Sequence, residues 1–278
     1  MVIGAILKRK LALLGLIIIA VFATAAILAP WLAPYDPTVT PDITLLHPLP
    51  PSTQYWLGTD LLGRDFLSRL IHGARATLII GVVANGIAVA IGALIGVTAG
   101  YLRGRVGSAL MRFTDLMMAF PALLLAILLA AMFKPSIWIV VMVIAMVSWV
   151  QLARVVYAET VSLAEREYVV AVRAIGASTI RILFRHILPH LVPTLIVWGT
   201  LGIATTSLFE ATLSFLGIGV QPPTPSWGNM VNENQTYFES APWLVFIPGA
   251  AIGLLALSFN LIGDALRDIL DPTLRGRH

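Results

Sequence analysis

The stretch AVRAIGASTIRILFRHILPH, residues 171–190, lies between two long apolar runs and carries arginines at 173, 181 and 185. Taken with the residues before it, EREYVVAVRAIG forms a helix from about Glu165 that stops at Gly176, the residue type that most easily takes the left-handed C-cap conformation. Ser178 then offers a hydroxyl cap for a second helix, TIRILFRHILP, which leads into the next apolar run. Tyr168, Val172 and Ile175 recur at helical spacing on the first piece, beside Glu167 and Arg173. Such a segment is either an amphipathic loop resting on lipid or a rigid knob. A knob would seat in another protein's groove and pass rigid-body movement to the helices on both sides.

The flanks decide the class. Of 278 residues, 58% are hydrophobic and 12% charged, with mean hydropathy +0.90. A soluble domain carries about 25% charged residues, so this is an integral membrane protein. Six stretches lack Asp, Glu, Lys and Arg: 11–35, 76–102, 116–133, 135–153, 186–209 and 240–263. Each approaches or exceeds the roughly 20 residues a spanning helix needs. None shows the two-residue alternation of a barrel strand. The expectation is an all-α membrane protein with six transmembrane helices and a cytoplasmic helix between the fourth and fifth. The first run follows Lys8, Arg9 and Lys10, but it is far longer than a signal-peptide core of about 7–15 residues. It is taken as a retained helix.

Orientation follows from basic residues in the connections. The N-terminus, 103–115, 154–185 and 264–278 hold 14 of the 18 Lys and Arg. The other connections hold 4, so both termini are expected in the cytoplasm. The chain divides into 1–75, a first helix plus an extracytoplasmic loop, and 76–278, a five-helix core that includes the loop 154–190.

Within 36–75, GRDFLSRLIHGAR suggests a short interfacial helix with Phe66, Leu67, Leu70 and Ile71 on one face and Arg64, Ser68 and Arg75 on the other. A plain solvated loop is the alternative. Ala88, Gly92, Gly96 and Gly100 place a small residue at every fourth position, a stripe that lets two membrane helices approach closely. Pro121 suits a helix start, and Arg112 with Asp115 makes a local helix pair. The loop 210–239 has no Lys or Arg and carries Pro222, Pro223 and Pro225, so it is expected to be stiff and extended. It would act as a gate or scoop, or simply pack.

Several chemistries lack their residues. There is no cysteine, hence no disulfide, thiolate nucleophile or thiolate metal site. The interiors of the six runs contain no charged residue for ion coupling; Asn85 and Asn260 are the most polar interior side chains. His186 and His190 stand four apart without an HExxH pattern, and Pro189 is expected to interrupt that helix. No lysine follows a phosphate-cradling glycine loop, so the chain does not hydrolyse ATP itself. The basic residues lie between apolar runs, which argues against nucleic acid. Asn234-Gln235-Thr236 fits a glycosylation sequon, a frequent chance match. Met117, Met118, Met142 and Met146 suit core packing.

The segment 170–189 resembles the EAA loop of binding-protein-dependent ABC importers: E-A-A, three residues, G, nine residues, I-x-L-P. Val170, Ala171, Val172, Gly176, His186, Leu188 and Pro189 occupy the pattern's positions, with Val170, Val172 and His186 departing from it. LGTDLLGRDFLSRLIHGAR (57–75), MRFTDLMMAFPALLLAI (111–127), ATLSFLGIGVQPPTPSWGNM (211–230) and FNLIGDALRDILDPTLR (259–275) are similar to C-type permeases of dipeptide, oligopeptide and nickel importers. The resemblance implies a type I ABC importer permease fold and a multi-pass subunit of a bacterial or archaeal cytoplasmic membrane. It implies one half of a pore for peptides, with nickel or other metal complexes and glutathione as alternatives. A self-contained channel or carrier is the reading from another class. Implied partners are a homologous B-type permease, cytoplasmic ATPase subunits that bind ATP and Mg²⁺, an extracytoplasmic solute-binding protein and membrane lipid. The chain itself would carry no cofactor, metal or catalytic residue. Glu167, Tyr168, Ala171, Arg173, Ala174, Gly176, Ala177, Ser178, Leu188 and Pro189 would dock the ATPase. Loops 36–75 and 210–239 would face the binding protein.

Overall fold

The computed structural model describes residues 2–40 and 47–270. Among these, helices and turns make the whole fold apart from one isolated bridge between Thr59 and Asp65. The chain begins with α1 (Val2–Leu7), α2 (Lys10–Ile27) and the single turn α3 (Ala29–Leu32). A long connection leads to α4 (Phe66–Leu102), whose 37 residues rise about 55 Å at 1.5 Å each. The expected interfacial helix is therefore the first part of α4 and not a separate element. Asp65 starts it by accepting a 2.8 Å hydrogen bond from the Ser68 amide.

Next come α5 (Gly104–Ala119) and α6 (Ala122–Ala131). Arg103 and Gly104 both take positive φ, +49° and +52°, to turn from α4 into α5. The Arg103 guanidinium is tied to α7 (Ile137–Ala164) and its C-cap, donating 2.9 Å to the Val161 carbonyl and pairing at 2.9 Å with Glu165. Within the charge-free run 116–133 the sequence predicts a span that opens at Pro121, and α6 does begin there; the sequence does not predict the 86° at which α5 and α6 meet. Proline disfavours the helical region for the residue before it. Phe120 is accordingly extended, α5 ends at Ala119, and α6 restarts after Pro121. Asp115 does not pair with Arg112; it pairs with Arg154 of α7.

The remaining elements are α8 (Glu167–Ala174), α9 (Thr179–Ile182), a π turn (Leu183–Ile187), α10 (Leu188–Phe215), α11 (Trp227–Asn234), a 3₁₀ turn (Gln235–Tyr237) and α12 (Trp243–Leu270). Five continuous helical stretches are long and apolar enough to cross a membrane: α2, α4, α7, residues 179–215 and α12. The bent α5–α6 pair makes a sixth crossing when taken as one span. The helices outrun the charge-free segments, so α7 carries Glu159 and α10 carries Glu210. The expectation of charge-free spans is corrected to that extent.

α4 is the central post. Lipid tails are as apolar as the side chains, so helices in a membrane associate by close packing and not by expulsion of water. Ala88, Gly92, Gly96 and Gly100 are all buried, and the three glycines face α7. A Cβ on Gly96 would stand 2.6 Å from the Ala153 carbonyl oxygen and 2.7 Å from Val156 Cβ. On Gly100 it would meet Thr160 Cβ at 2.7 Å. Higher on α4, Asn85 Nδ2 donates to the Gly199 carbonyl of α10 at 2.5 Å. Arg9 at the start of α2 pairs with Asp268 near the end of α12, and Arg103 with Glu165, so these termini share one end of the bundle. This is the basic end; α11 marks the other.

Candidate functional site

At the basic end α8 sits on an apolar bed. Val169, Ile182, Ile187 and Leu191 are fully buried together with Val97 of α4 and Val156 of α7. Val172 packs partly against the same cluster, whereas Tyr168, Val170 and Ile175 are exposed, Ile175 at 84%. The expected Tyr168–Val172–Ile175 stripe is thus split. The inward face is Val169 and Val172; the outward face presents Tyr168, Val170 and Ile175, joined by Ile180 and Phe184. Val169 was missed from sequence because a single buried turn has no repeat to reveal it.

Gly176 has φ +83°. Its amide bonds the Arg173 carbonyl at 3.0 Å, and the Ala177 amide bonds the Val172 carbonyl at 3.3 Å. This is the Schellman pair of bonds, and it needs a left-handed residue at Gly176. A Cβ there would meet nothing within 4 Å, so a side chain at this position is opposed by backbone strain alone. Ser178 Oγ accepts from the Arg181 amide at 3.4 Å and caps α9.

Side chains pin α8 from both directions. The Arg173 guanidinium lies 5.1 Å from the centroid of the Tyr101 ring on α4. Tyr168 donates its hydroxyl to the His186 carbonyl at 3.4 Å, and its ring lies 5.6 Å from that of His190. Glu167, Ala171, Ala174 and Pro189 are exposed; Ala177 and Leu188 are half-buried. Pro189 does not interrupt the helix, contrary to expectation, since residues 179–215 run continuously. The π turn shifts the ladder just before it, the Leu188 amide bonding the Leu183 carbonyl, so a residue without an N–H fits the following turn.

The opposite end is built differently. Arg64 Nε binds Asp60 at 2.7 Å, and Arg69 Nε pairs with the same carboxylate oxygen at 3.1 Å. Both guanidinium groups also reach Glu233 on α11, at 3.0 and 2.7 Å. Asp60 and Arg69 are fully buried and Arg64 nearly so. Arg64 and Ser68, expected on a solvated face, are buried; Arg75 is exposed. Asp60 and Arg64 show four-residue spacing in the sequence, but nothing there points to Glu233.

Loop 210–239 is not an extended strap. α10 continues to Phe215, the prolines occupy a short turn, and Ser226 caps α11 by accepting from the Asn229 amide at 3.2 Å. Trp227 is buried, donates its indole N–H to the Leu70 carbonyl at 2.9 Å, and lies edge-on to Phe22 at 5.0 Å. Below it Glu210 accepts from Ser214 Oγ at 2.8 Å and from Thr77 Oγ1 at 3.5 Å, which ties the turn to α4. The sequon residue Asn234 is buried and donates to the Met230 carbonyl at 2.8 Å, so it cannot accept a glycan.

Residues 92–276 match the model of the family described as binding-protein-dependent transport system inner membrane component. Residues 2–51 match the N-terminal transmembrane domain of oligopeptide transport permease C. The chain is 44% identical to the di/tripeptide transport system permease protein DppC of Pseudomonas aeruginosa (strain UCBPP-PA14), over 96% of this chain and 89% of that one. It is 39% identical to the oligopeptide transport system permease protein OppC of Bacillus subtilis (strain 168), over 96% and 87%. It is also 42% identical to the glutathione transport system permease protein GsiD of Escherichia coli O6:K15:H31, over 97% and 88%. A chain of the MetNI methionine ABC transporter, solved in inward-facing conformations, shares the fold with a TM-score of 0.60 at 16% identity. That match covers 74% of this chain and 97% of the other.

Proposed function

The chain belongs to the family of binding-protein-dependent transport system inner membrane components, and from that premise we propose that it forms half of the pore of an ATP-driven importer of dipeptides and oligopeptides. It is the non-catalytic membrane subunit. The other half-pore is a homologous B-type permease. Cytoplasmic ATPase subunits bind ATP and Mg²⁺ and supply the movement, and an extracytoplasmic binding protein delivers the peptide. The basic end faces the cytoplasm, as the 14-to-4 distribution of Lys and Arg favours. The peptide cargo is inferred from relatives named for dipeptides, oligopeptides and the tripeptide glutathione.

The observation that carries this reading is the construction of α8. Its buried face is fixed to α4, α7 and the start of α10, while its outer face leaves Tyr168, Val170 and Ile175 in the open. Apolar side chains displayed on a fixed support are what a protein groove takes up. A push on such a knob moves the helices beneath it as one body. A loop resting on lipid has no need of the Gly176 turn or of the Arg173–Tyr101 and Tyr168–His190 contacts.

The test is Gly176→Val. A β-branched residue in a left-handed turn costs on the order of 1–2 kcal/mol, and no neighbouring atom clashes, so the fault stays local. The expected result is lost ATP-driven peptide uptake and weakened pull-down of the ATPase subunits, with expression and the contact to the partner permease kept. Normal uptake by this variant, or uptake that persists without the ATPase subunits, would sink the importer reading. A reporter active only in the cytoplasm should give signal after His278 and none near Asn232; the reverse pattern overturns the orientation.

A further inference from the structure

Two cavities follow one another along the cleft between α7 and α10. The first, about 230 Å³, is lined in part by Asn85 of α4, Ser148 and Gln151 of α7 and Thr205 of α10. The second, about 530 Å³ and nearer the basic end, is lined by Val155 and Glu159 of α7, Thr194 of α10 and Arg267 of α12. Trp198 lines both, which puts this residue where one gives way to the other. On α7, Ser148, Gln151, Val155 and Glu159 succeed one another at three- and four-residue steps, which puts them in one row on the helix. Polar and ionisable side chains in spanning helices face a water-filled cavity or another protein group, because lipid gives them no partner.

Glu159 is half-buried, and the Thr194 hydroxyl lies 3.0 Å from each of its carboxylate oxygens. Among the described residues neither Glu159 nor Arg267 has an ion-pair partner. One cavity therefore carries a half-buried carboxylate on α7 and an exposed guanidinium on α12, neither of them paired among the described residues. A short peptide is the complement of that arrangement, with an ammonium at one end and a carboxylate at the other. The volume falls within the roughly 300–1,000 Å³ of small-molecule sites.

We propose that this larger cavity is a transit subsite for zwitterionic peptides, in which Glu159 meets the ammonium group and Arg267 the terminal carboxylate. Trp198 bounds the subsite on the side of the smaller cavity. The inference rests on the peptide-importer reading and adds to it a specificity element within this subunit.

The test uses the complete transporter, with its partner permease, ATPases and binding protein, in vesicles supplied with alanyl-alanine. The readout is peptide imported per ATP hydrolysed. Loss of a charge-assisted contact predicts that Glu159→Gln lowers this ratio about tenfold. Glu159→Asp should recover most of it, and Arg267→Gln should fall as Glu159→Gln does. Glutamine still accepts the Thr194 hydroxyl, so a purely bracing role predicts no change in the ratio. An unchanged ratio for Glu159→Gln overturns the proposal. So does a drop in folded yield shared by Glu159→Gln and Thr194→Val with the ratio intact. Because the chain has no cysteine, Val155→Cys supplies a second measurement, read on this subunit at its single thiol. During turnover alanyl-alanine should slow its labelling by a methanethiosulfonate reagent, and labelling indifferent to the dipeptide also overturns the subsite. A wild-type transporter that imports no dipeptide under ATP fails on the importer reading itself and is recognised by that control.

Discussion

At the end marked by α11, Asp60, Arg64, Arg69 and Glu233 are paired out of reach of solvent; at the basic end the ion pairs Arg9–Asp268 and Arg103–Glu165 lie open to it. The first end folds its connection inward, with Trp227 and Met230 in the core, α11 tied to α4 through Leu70 and Arg69, and α10 tied to α4 through Glu210–Thr77. The second pushes α8 outward on an apolar bed and leaves its tip bare. Buried charge pairs are weak evidence of net stability, but removing one partner strands the other and is costly, whereas exposed pairs contribute about 0–1 kcal/mol. The contrast suits the proposed function, in which one face resists deformation and the other is the one a partner would grip.

The largest effect should come from Arg69→Met, which leaves Asp60 and Glu233 to share Arg64. A loss of about 3–5 kcal/mol is expected, read as a large drop in melting temperature and in folded yield from membranes. A change no greater than that of Arg103→Met would break the contrast between the ends. Next is Gly96→Leu, which forces α4 and α7 apart at a contact already shorter than a Cβ allows. Overpacking of this kind costs about 1–3 kcal/mol or more. Assembled complex should be scarce in detergent, and normal assembly would show that the helices separate without penalty. The smallest effect belongs to Glu165→Gln, which removes the exposed partner of Arg103. Under about 1 kcal/mol is expected, shrinking further in high salt; a larger loss would mean that the basic end is also held by charge.

The sequence was most informative where structure depends on local chemistry. The Gly176 break, the Ser178 cap and the apolar spans are properties of single segments, and each stands at its expected place. The four-residue stripe 88–100 was visible as a pattern, but its partner α7 was not. The errors share a cause as well. Pro121 was legible as a helix start, and α6 begins after it, but the 86° bend set by its effect on Phe120 was not. Pro222, Pro223 and Pro225 suggested an extended strap, while Ser226 and Trp227 directly after them folded the segment into the core.

Insertion into lipid and the order of the spans were determined by the sequence alone, because the transfer energy of an apolar run is a sum over its own residues. Tertiary structure decided which polar groups are sheltered. Arg64 and Arg69 reach Glu233 across 169 and 164 residues, and Glu159 and Arg267 line one cavity from different helices. A charged side chain reads the same in sequence whether water, lipid headgroups or an opposite charge will face it. Its energy depends on what stands opposite, and only the packed bundle supplies that.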